Sequence, residues 1–367
     1  MTRRFLVELQ MRRPIFGETI DHPIFKVCLS QLRQLGDLLP PETIILIVGP
    51  SHAGKSTLLG YFVAHLQNEV FRKCGAREVP IIGATAQTTR EGRTAPKFIL
   101  HELLEDVGHP LLQMPLLFDD DRLYKPAIKL DETWCLRSLK SALHAAAVRS
   151  VLIDDAHYLV RVKDEHFKSS LLESFKSVVT PITTLVLSGG YELAKVALAN
   201  RAHLSSRIIV VHVPRYRNTP EDLLNWKAII SKLSKSPRVK LEHPDLLASN
   251  AAELLYECHG GIGVLEKRIL NMVIVAGSHG TPITKAILAE TRPTSAAWEA
   301  VRLDIENGEK LLGTKVGIVS TDAATASSSK NSNASKNSHS KQSRNKKRKR
   351  QRAFERKATR TQKALEV

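Results

Sequence analysis

The sequence predicts an α/β protein with a parallel sheet, followed by a helical region and a basic tail. Five short apolar runs are separated by segments with helical spacing, which is typical of buried parallel strands that alternate with helices. With 367 residues, 43% of them hydrophobic, the chain is long enough to bury such a core. After Pro214 the short apolar runs stop and helical patterns take over, so the helical region forms a separate part of the chain.

The elements follow an N-terminal extension in which an extended stretch leads to a helix over Ile24–Leu35. The strands are predicted at Thr43–Val48, Val79–Ala86, Val151–Ile153, Thr183–Ser188 and Ile208–Val213. The later helices are predicted at Glu221–Leu233, His243–His259, Ile262–Ala276 and Ile283–Glu290. We therefore divide the chain into an N-terminal extension, an α/β core, a helical domain and a tail, at residues 1–40, 41–215, 216–312 and 313–367.

Most of the excess positive charge lies in the tail. The formal net charge is +17, and residues 321–367 contain 14 Lys and Arg against three acidic residues. This Ser-, Asn- and Lys-rich composition cannot bury enough apolar surface to fold, so we predict that the tail is disordered. A basic chain suggests an anionic partner, most often nucleic acid, although a solvated tail or one that docks on an acidic protein would look the same.

Other general features exclude several classes of protein. The chain has no run of about twenty apolar residues and no secretory signal at its N-terminus, so we expect no membrane partner. Its four cysteines are scattered without metal-binding spacing, which indicates reduced thiols in the cytoplasm.

A phosphate-binding P-loop follows the first predicted strand. The motif and the first residue after it are Gly49, Pro50, Ser51, His52, Ala53, Gly54, Lys55, Ser56 and Thr57. A strand before the loop and a helix after it are the context that this motif needs. Backbone N–H groups would surround the phosphates, Lys55 would reach the β- and γ-phosphates, and the Ser56 hydroxyl would hold Mg²⁺.

A second motif, at the end of the third strand, fits a Walker B element. Asp154 would join the Mg²⁺ shell, and Asp155 would orient the attacking water as general base. Most hydrolases of this type carry Glu at the second position, and the shorter Asp predicts slow turnover. An apolar run followed by two Asp residues is weak alone, because it often marks only a strand end.

Two further polar positions complete the candidate site. Ser188 ends the fourth strand, where it could contact the γ-phosphate or the water, although a strand-terminal Ser before a turn would look the same. Arg207, or as second choice Arg201, precedes the fifth strand and could stabilise charge on the γ-phosphate of a neighbouring subunit. The alternative for either arginine is a surface salt bridge.

Together these motifs resemble an AAA+ ATPase of the initiator-like branch, and more narrowly the TniB/TnsC-type transposition ATPases. The narrower resemblance depends on the helix beginning near His22, the segment Thr88–Lys97 and the sequence His259–Gly263, and it covers roughly residues 20–292. It implies a P-loop AAA+ core with a five-stranded parallel sheet, a C-terminal helical lid, and ATP with Mg²⁺ as cofactors. The sequence departs from this branch at one position. Many members carry an Arg directly after the lid glycines, but here Val264 and Leu265 stand there, and Lys267 and Arg268 come about a turn later.

The resemblance also implies partners and a cellular role. It predicts a homo-oligomer, as a ring or helical filament on double-stranded DNA, that recruits transposase and target-selector proteins in the bacterial cytoplasm. ATP would drive its assembly, and hydrolysis its disassembly. Backbone phosphates of DNA would be contacted by Thr88, Thr89, Arg90, Arg93 and Lys97, although a solvated basic turn would look the same. The alternatives are a replication initiator or helicase loader of the same fold, and a signalling ATPase that does not bind DNA.

Overall fold

The computed structural model describes most of the chain before the tail. The described residues are 4–11, 15–16, 21–40, 42–75, 78–86, 96–110, 131–160, 182–199 and 207–315. All of them lie in the first of two compact units, Met1–Gly317. Among them, no helix combines the length and the apolar character that crossing a membrane requires.

A five-stranded parallel sheet forms the centre of the fold, with strand order β2-β3-β4-β1-β5. All five predicted strands are present, each within a few residues of its predicted limits. They are β1 (Ile44–Val48), β2 (Ile81–Thr85), β3 (Ser150–Asp154), β4 (Thr184–Gly189) and β5 (Ile208–His212). Because every pair is parallel, all the carboxyl ends lie along one edge of the sheet.

Helices cover both faces of the sheet. One face is covered by α1 (Arg4–Met11), α2 (Pro23–Leu38) and α3 (Lys55–His65), which continues as a π-helical turn through Val70. The other face is covered by α4 (Pro96–Asp106), α5 (Glu132–Ala145) and α6 (Tyr191–Ala199). This arrangement is the P-loop AAA+ core that the sequence predicts.

The sequence prediction was wrong at the N-terminus, where α1 replaces part of the predicted extended stretch. Phe5, Leu6 and Leu9 of this helix are buried against β2 and α3. Gly83 of β2 makes room for it, since a Cβ there would lie 2.2 Å from the Phe5 ring. An eight-residue helix has little stability of its own, so tertiary packing rather than local sequence explains it.

Five helices after the sheet form a bundle with its own hydrophobic core around Trp226. They are α7 (Pro220–Ser234), α8 (Leu246–Ser249), α9 (Ala251–Glu257), α10 (Ile262–His279) and α11 (Lys285–Glu290). The single helix predicted over His243–His259 is therefore two helices. Asn250 separates them, and its side chain donates to the backbone oxygen of Leu246 at 2.7 Å, which competes with helical hydrogen bonding.

A last helix, α12 (Ser295–Lys315), has no counterpart among the predicted elements. It leaves the bundle and packs on α6 of the core, where Leu312 is buried in the core cluster. Its last three residues, 313–315, belong to the segment that the sequence predicts as tail. The remaining tail residues lie outside the described part of the chain.

Candidate nucleotide-binding site

The P-loop connects β1 to α3 at the carboxyl edge of the sheet, as the sequence predicts. The first residue of α3 is Lys55, and Gly54 before it adopts a left-handed φ of 84°. No side chain in the described part of the chain caps this helix, so its first N–H groups have no side-chain acceptor there. A Cβ at Gly49 would lie 2.4 Å from the backbone oxygen of Val213, which explains why only glycine fits where the loop begins.

The Lys55 side chain lies folded back over its own loop. Its Nζ donates to the backbone oxygens of Pro50 at 2.7 Å and of Gly49 at 3.1 Å. Burial lowers the pKa of Lys55 to about 8, while the charges of Asp154, Asp155 and Asp304 act in the opposite direction. The two Walker B carboxylates are therefore within electrostatic reach of the P-loop lysine.

The Walker B residues end β3 at the same edge. Asp154 is fully buried and pairs in register with Thr85 of β2. Asp155 takes a left-handed φ of 53° and turns the chain into a 3₁₀ helix over Ala156–Val160. Its half-buried carboxylate lies 4.0 Å from Nδ1 of His157. This arrangement places one carboxylate inside the site and the other at its rim.

Ser188 lies between the two motifs because β4 lies between β3 and β1. It is paired with Ile47 of the P-loop strand, and its side chain is 1% exposed. Its Oγ has no hydrogen-bond partner among the residues that the structure describes. A buried hydroxyl without a partner costs free energy, so Ser188 fits a ligand contact better than a structural role.

The first turns of α10 lie directly on the P-loop, a contact that the sequence did not predict. Gly263 donates from its N–H to the backbone oxygen of His52 at 3.0 Å, and Lys267 Nζ lies 2.9 Å from His52 Nε2. Burial lowers the pKa of His52, and Lys267 lowers it further. The imidazole is therefore neutral and accepts from the ammonium. Gly263 and Lys267 are four residues apart, and this spacing could have shown from the sequence that they share one face of a helix.

Arg268, the other basic residue near the lid glycines, points into the bundle instead. It is buried and donates to Glu257 Oε2 from Nε at 3.1 Å and from Nη2 at 3.0 Å. It also donates to the backbone oxygen of Leu288 at 2.7 Å and to the hydroxyl of Thr291. Arg268 therefore joins α9, α10 and α11, and Lys267 is the lid cation at the P-loop.

The connection between the sheet and the bundle brings together residues that the resemblance singled out. Tyr216, in the segment after β5, donates from its N–H to the backbone oxygen of Gly260 at 3.0 Å. A Cβ at Gly260 would lie 1.8 Å from the backbone oxygen of Tyr216, so this close approach of the two backbones requires glycine. The Tyr216 hydroxyl lies 2.9 Å from Nδ1 of His22, which caps α2 and whose pKa burial lowers to about 4. The start of α2, the core and the bundle therefore meet at Tyr216.

Arg207 lies at the amino ends of the strands, whereas the P-loop lies at their carboxyl ends. It immediately precedes β5, whose first residue pairs with Ile44, the first residue of β1. A five-residue strand spans about 16 Å, so the Arg207 backbone is that far from the edge that carries the P-loop. Its guanidinium pairs with Glu42 at 2.9 Å, and both side chains are partly exposed. The surface salt bridge considered from sequence is present, and Arg201 lies outside the described residues.

The predicted DNA-contacting residues are mostly outside the described part of the chain. Thr88, Thr89, Arg90 and Arg93 all lie there. Lys97 is described, and it is exposed in the first turn of α4. Their contact with DNA stays a prediction.

These residues define the class of protein. A P-loop, a buried Walker B carboxylate and a buried serine converge at one edge of a parallel sheet, which is the arrangement of a P-loop ATPase. Residues 40–197 match the sequence profile of the family described as AAA domain (AAA_22). This part of the chain is therefore similar to an AAA domain, and the fold and the site are those of a P-loop ATPase with an AAA+ core. A search of curated proteins gives no significant match.

Solved structures with a similar chain path include the following three proteins. The ORC2 protein of Aeropyrum pernix is 15% identical with a TM-score of 0.47, covering 75% of this chain and 70% of its own. Cdc6p of Pyrobaculum aerophilum is 14% identical with a TM-score of 0.48, covering 75% and 69%. A Walker-type ATPase of Pyrococcus abyssi is 17% identical with a TM-score of 0.46, covering 84% and 80%. At these values the likenesses carry no argument about function.

The site fits ATP and Mg²⁺, the cofactors of this class. The uncapped start of α3 offers N–H donors to phosphates, and the Ser188 hydroxyl offers another. Ser56 and Asp154 supply the hydroxyl and carboxylate oxygens that Mg²⁺ prefers. Among the described residues, no group of three His, Cys, Asp or Glu side chains could hold a metal ion.

Proposed function

We propose that this AAA+ ATPase regulates transposition by assembling on double-stranded DNA in its ATP-bound state and recruiting a transposase. The resemblance to TniB/TnsC-type ATPases over residues 20–292 supports the role. Two of the features that carry it, the helix that begins after His22 and the glycines around Gly260, are joined through Tyr216, which contacts His22 and Gly260.

In this proposal each residue of the site has a distinct task. Lys55 would leave the carbonyls of its own loop for the β- and γ-phosphates, and Ser56 and Asp154 would hold Mg²⁺, which would neutralise phosphate charge. Asp155 orients the attacking water and accepts its proton. Ser188 donates to the γ-phosphate or the water. Lys267 brings a cation from the bundle to the loop, so that the bundle acts as a lid.

The observation that carries the assembly role is the position of Arg207. Its backbone is about 16 Å from its own P-loop edge, which an arginine side chain does not span. If Arg207 acts on a γ-phosphate, that phosphate belongs to a neighbouring subunit. Hydrolysis then requires two copies of the chain, and ATP between them strengthens their association. The exposed pair with Glu42 is worth less than about 1 kcal/mol, so losing it costs little.

A mixing experiment tests this arrangement directly. We expect Arg207→Ala to bind ATP normally but to lose most of its hydrolysis, and Lys55→Ala to lose ATP binding. Mixed in equal amounts, the two inactive variants should regain part of the activity, because an intact P-loop can then face an intact Arg207. No recovery on mixing, together with a Glu42→Ala control that is as active as wild type, would contradict the role in trans.

The DNA role is tested separately by binding to two duplexes of unrelated sequence. We expect ATP-dependent binding with little preference between them, and affinity that falls steeply with salt, because spaced Arg, Lys and Thr contact phosphates and carry no base code. The Lys55→Ala variant should not assemble. Binding that is equal without nucleotide, or strong selection of one sequence, would contradict the proposal.

The choice of partner separates the remaining alternatives. A transposition regulator binds a transposase or a target selector, whereas a replication initiator or helicase loader binds the replicative helicase. A signalling ATPase would show ATP-dependent protein binding and no DNA binding. Pull-down with each partner, with and without ATP, therefore distinguishes the three functions.

A further inference from the structure

A cavity of about 350 Å³ lies beside the segment that connects the sheet to the bundle. Its walls come from that segment, from α9 and the turn after it, and from α12. None of the residues that line it belongs to the P-loop or to the Walker B pair, so this cavity is separate from the nucleotide site. Its volume is near the lower end of the range of about 300–1,000 Å³ that is usual for ligand sites.

One wall of the cavity is a stack of aromatic rings. The Trp298 ring of α12 lies against the rings of Tyr256 and His259, with centroid distances of 4.7 Å and 4.6 Å. Trp298 also donates from Nε1 to the backbone oxygen of Tyr256 at 3.1 Å, and His259 donates from Nε2 to the Trp298 oxygen at 2.9 Å. Although these contacts fix its position, Tyr256 is 66% exposed. The cavity therefore offers a ligand a well-supported aromatic surface.

Three arginines also line the cavity, and one of them has hydrogen-bonding capacity left. Arg215 donates twice to Glu309, at 2.9 Å and 3.3 Å, and Arg302 pairs with two glutamates of its own helix. The Arg217 side chain is 59% exposed, and its ion pair within the described part of the chain is one 3.6 Å approach to the same Glu309. Arg217 therefore keeps N–H donors for a ligand, next to the aromatic wall.

We propose that this cavity binds a peptide segment of a partner protein, in which an acidic side chain lies next to an aromatic or large apolar one. The carboxylate binds Arg217, because the guanidinium presents paired donors that match a carboxylate. The neighbouring apolar side chain packs on the exposed part of Tyr256. Trp, Tyr and Arg, the residue types found here, are those that carry most of the binding energy at protein interfaces. This site goes beyond the proposed function and does not depend on the DNA role.

The charges and the shape of the cavity favour a peptide over nucleic acid. Nucleic-acid backbones bind cations that are free to neutralise phosphates. Here Arg215 and Arg302 are already paired with glutamates, and Glu306 itself lines the cavity and would repel a phosphate. A concave site of this volume admits side chains, whereas a duplex needs an extended surface. The formal net charge of +17 favours an acidic partner.

The first test selects ligands for the full-length protein from a phage-displayed library of random short peptides. Phage that bind an Arg217→Ala, Tyr256→Ala double variant are removed first, because the basic tail would retain acidic peptides by charge alone. Both side chains are largely exposed, so this variant should fold. We expect the remaining peptides to be enriched in Asp or Glu next to Phe, Tyr, Trp or Leu. A remaining pool without this enrichment would overturn the proposal.

The second test measures the affinity of one selected peptide by fluorescence anisotropy. Arg217→Ala and Tyr256→Ala should each weaken binding about tenfold or more, as truncation of important interface residues does. Arg137→Ala is the matched control, because it removes an exposed arginine from α5, and it should bind like wild type.

A changed peptide then identifies the ion pair. Replacing its Glu by Gln should weaken binding to wild type, but should weaken binding to Arg217→Ala much less, because both changes remove the same contact. Equal loss in the two proteins, or equal binding of the original peptide to wild type and Arg217→Ala, would overturn the proposal. An oligonucleotide that displaces the peptide and itself depends on Arg217 would show a nucleic-acid site instead.

Discussion

Arg268 and Lys267 are adjacent, yet the structure gives them opposite roles, and this contrast leads to a sharp prediction. Changing Arg268 to Ala removes four hydrogen bonds and leaves the Glu257 carboxylate buried. Breaking one partner of a buried ion pair costs about 3–5 kcal/mol. Arg292, which also pairs with Glu257, remains, so we expect a loss of about 3 kcal/mol.

The loss should be measured by thermal unfolding of the nucleotide-free protein. A shift of roughly 2 °C or more per kcal/mol predicts a melting temperature about 6 °C lower or more. Arg268→Lys should recover little of it, because an ammonium cannot reproduce the forked contacts to Glu257, Leu288 and Thr291.

Lys267→Ala is the matched comparison at the next position. Its side chain is exposed, so its removal should change stability by less than about 0.5 kcal/mol. It should instead weaken ATP binding or hydrolysis, because it removes the cation that contacts His52 of the P-loop. The opposite result, with Arg268→Ala stable but inactive and Lys267→Ala fully active, would refute the assignment and make Arg268 the phosphate contact.

Three further predictions concern the site itself. The pKa of Lys55 is lowered to about 8, so the lysine is charged below that pH and loses its proton above it. The affinity for ATP should therefore fall between pH 7.5 and 9.5, by up to about tenfold per pH unit. An affinity that does not change over this pH range would contradict the prediction. Gly263→Ala should weaken ATP binding, because its Cβ would lie 2.5 Å from the His52 oxygen, while Gly277→Ala in open space on the same helix should not. Steady-state turnover should be slow and Asp155→Asn should abolish it; turnover well above about 10 per second, or an active Asn variant, would rule out Asp155 as a poorly aligned base.

The sequence alone was enough to predict where in the fold the P-loop, the Walker B pair and Ser188 lie. The P-loop and the Walker B pair are short, contiguous motifs, and the strands that carry them are apolar runs whose local pattern is clear. Parallel strands have their carboxyl ends at one edge, so predicting the strands also predicted that Lys55, Asp154 and Ser188 would converge there.

The tertiary structure decided which distant residues join that site. Lys267 and His52 are 215 positions apart, and nothing in the local pattern separates Lys267 from the buried Arg268 beside it. The return of α12 to the core depends on the Trp298 and Leu312 contacts at its two ends. Periodicity shows that a helix has an apolar face, but the surface that the face covers is fixed by packing between segments far apart in the chain.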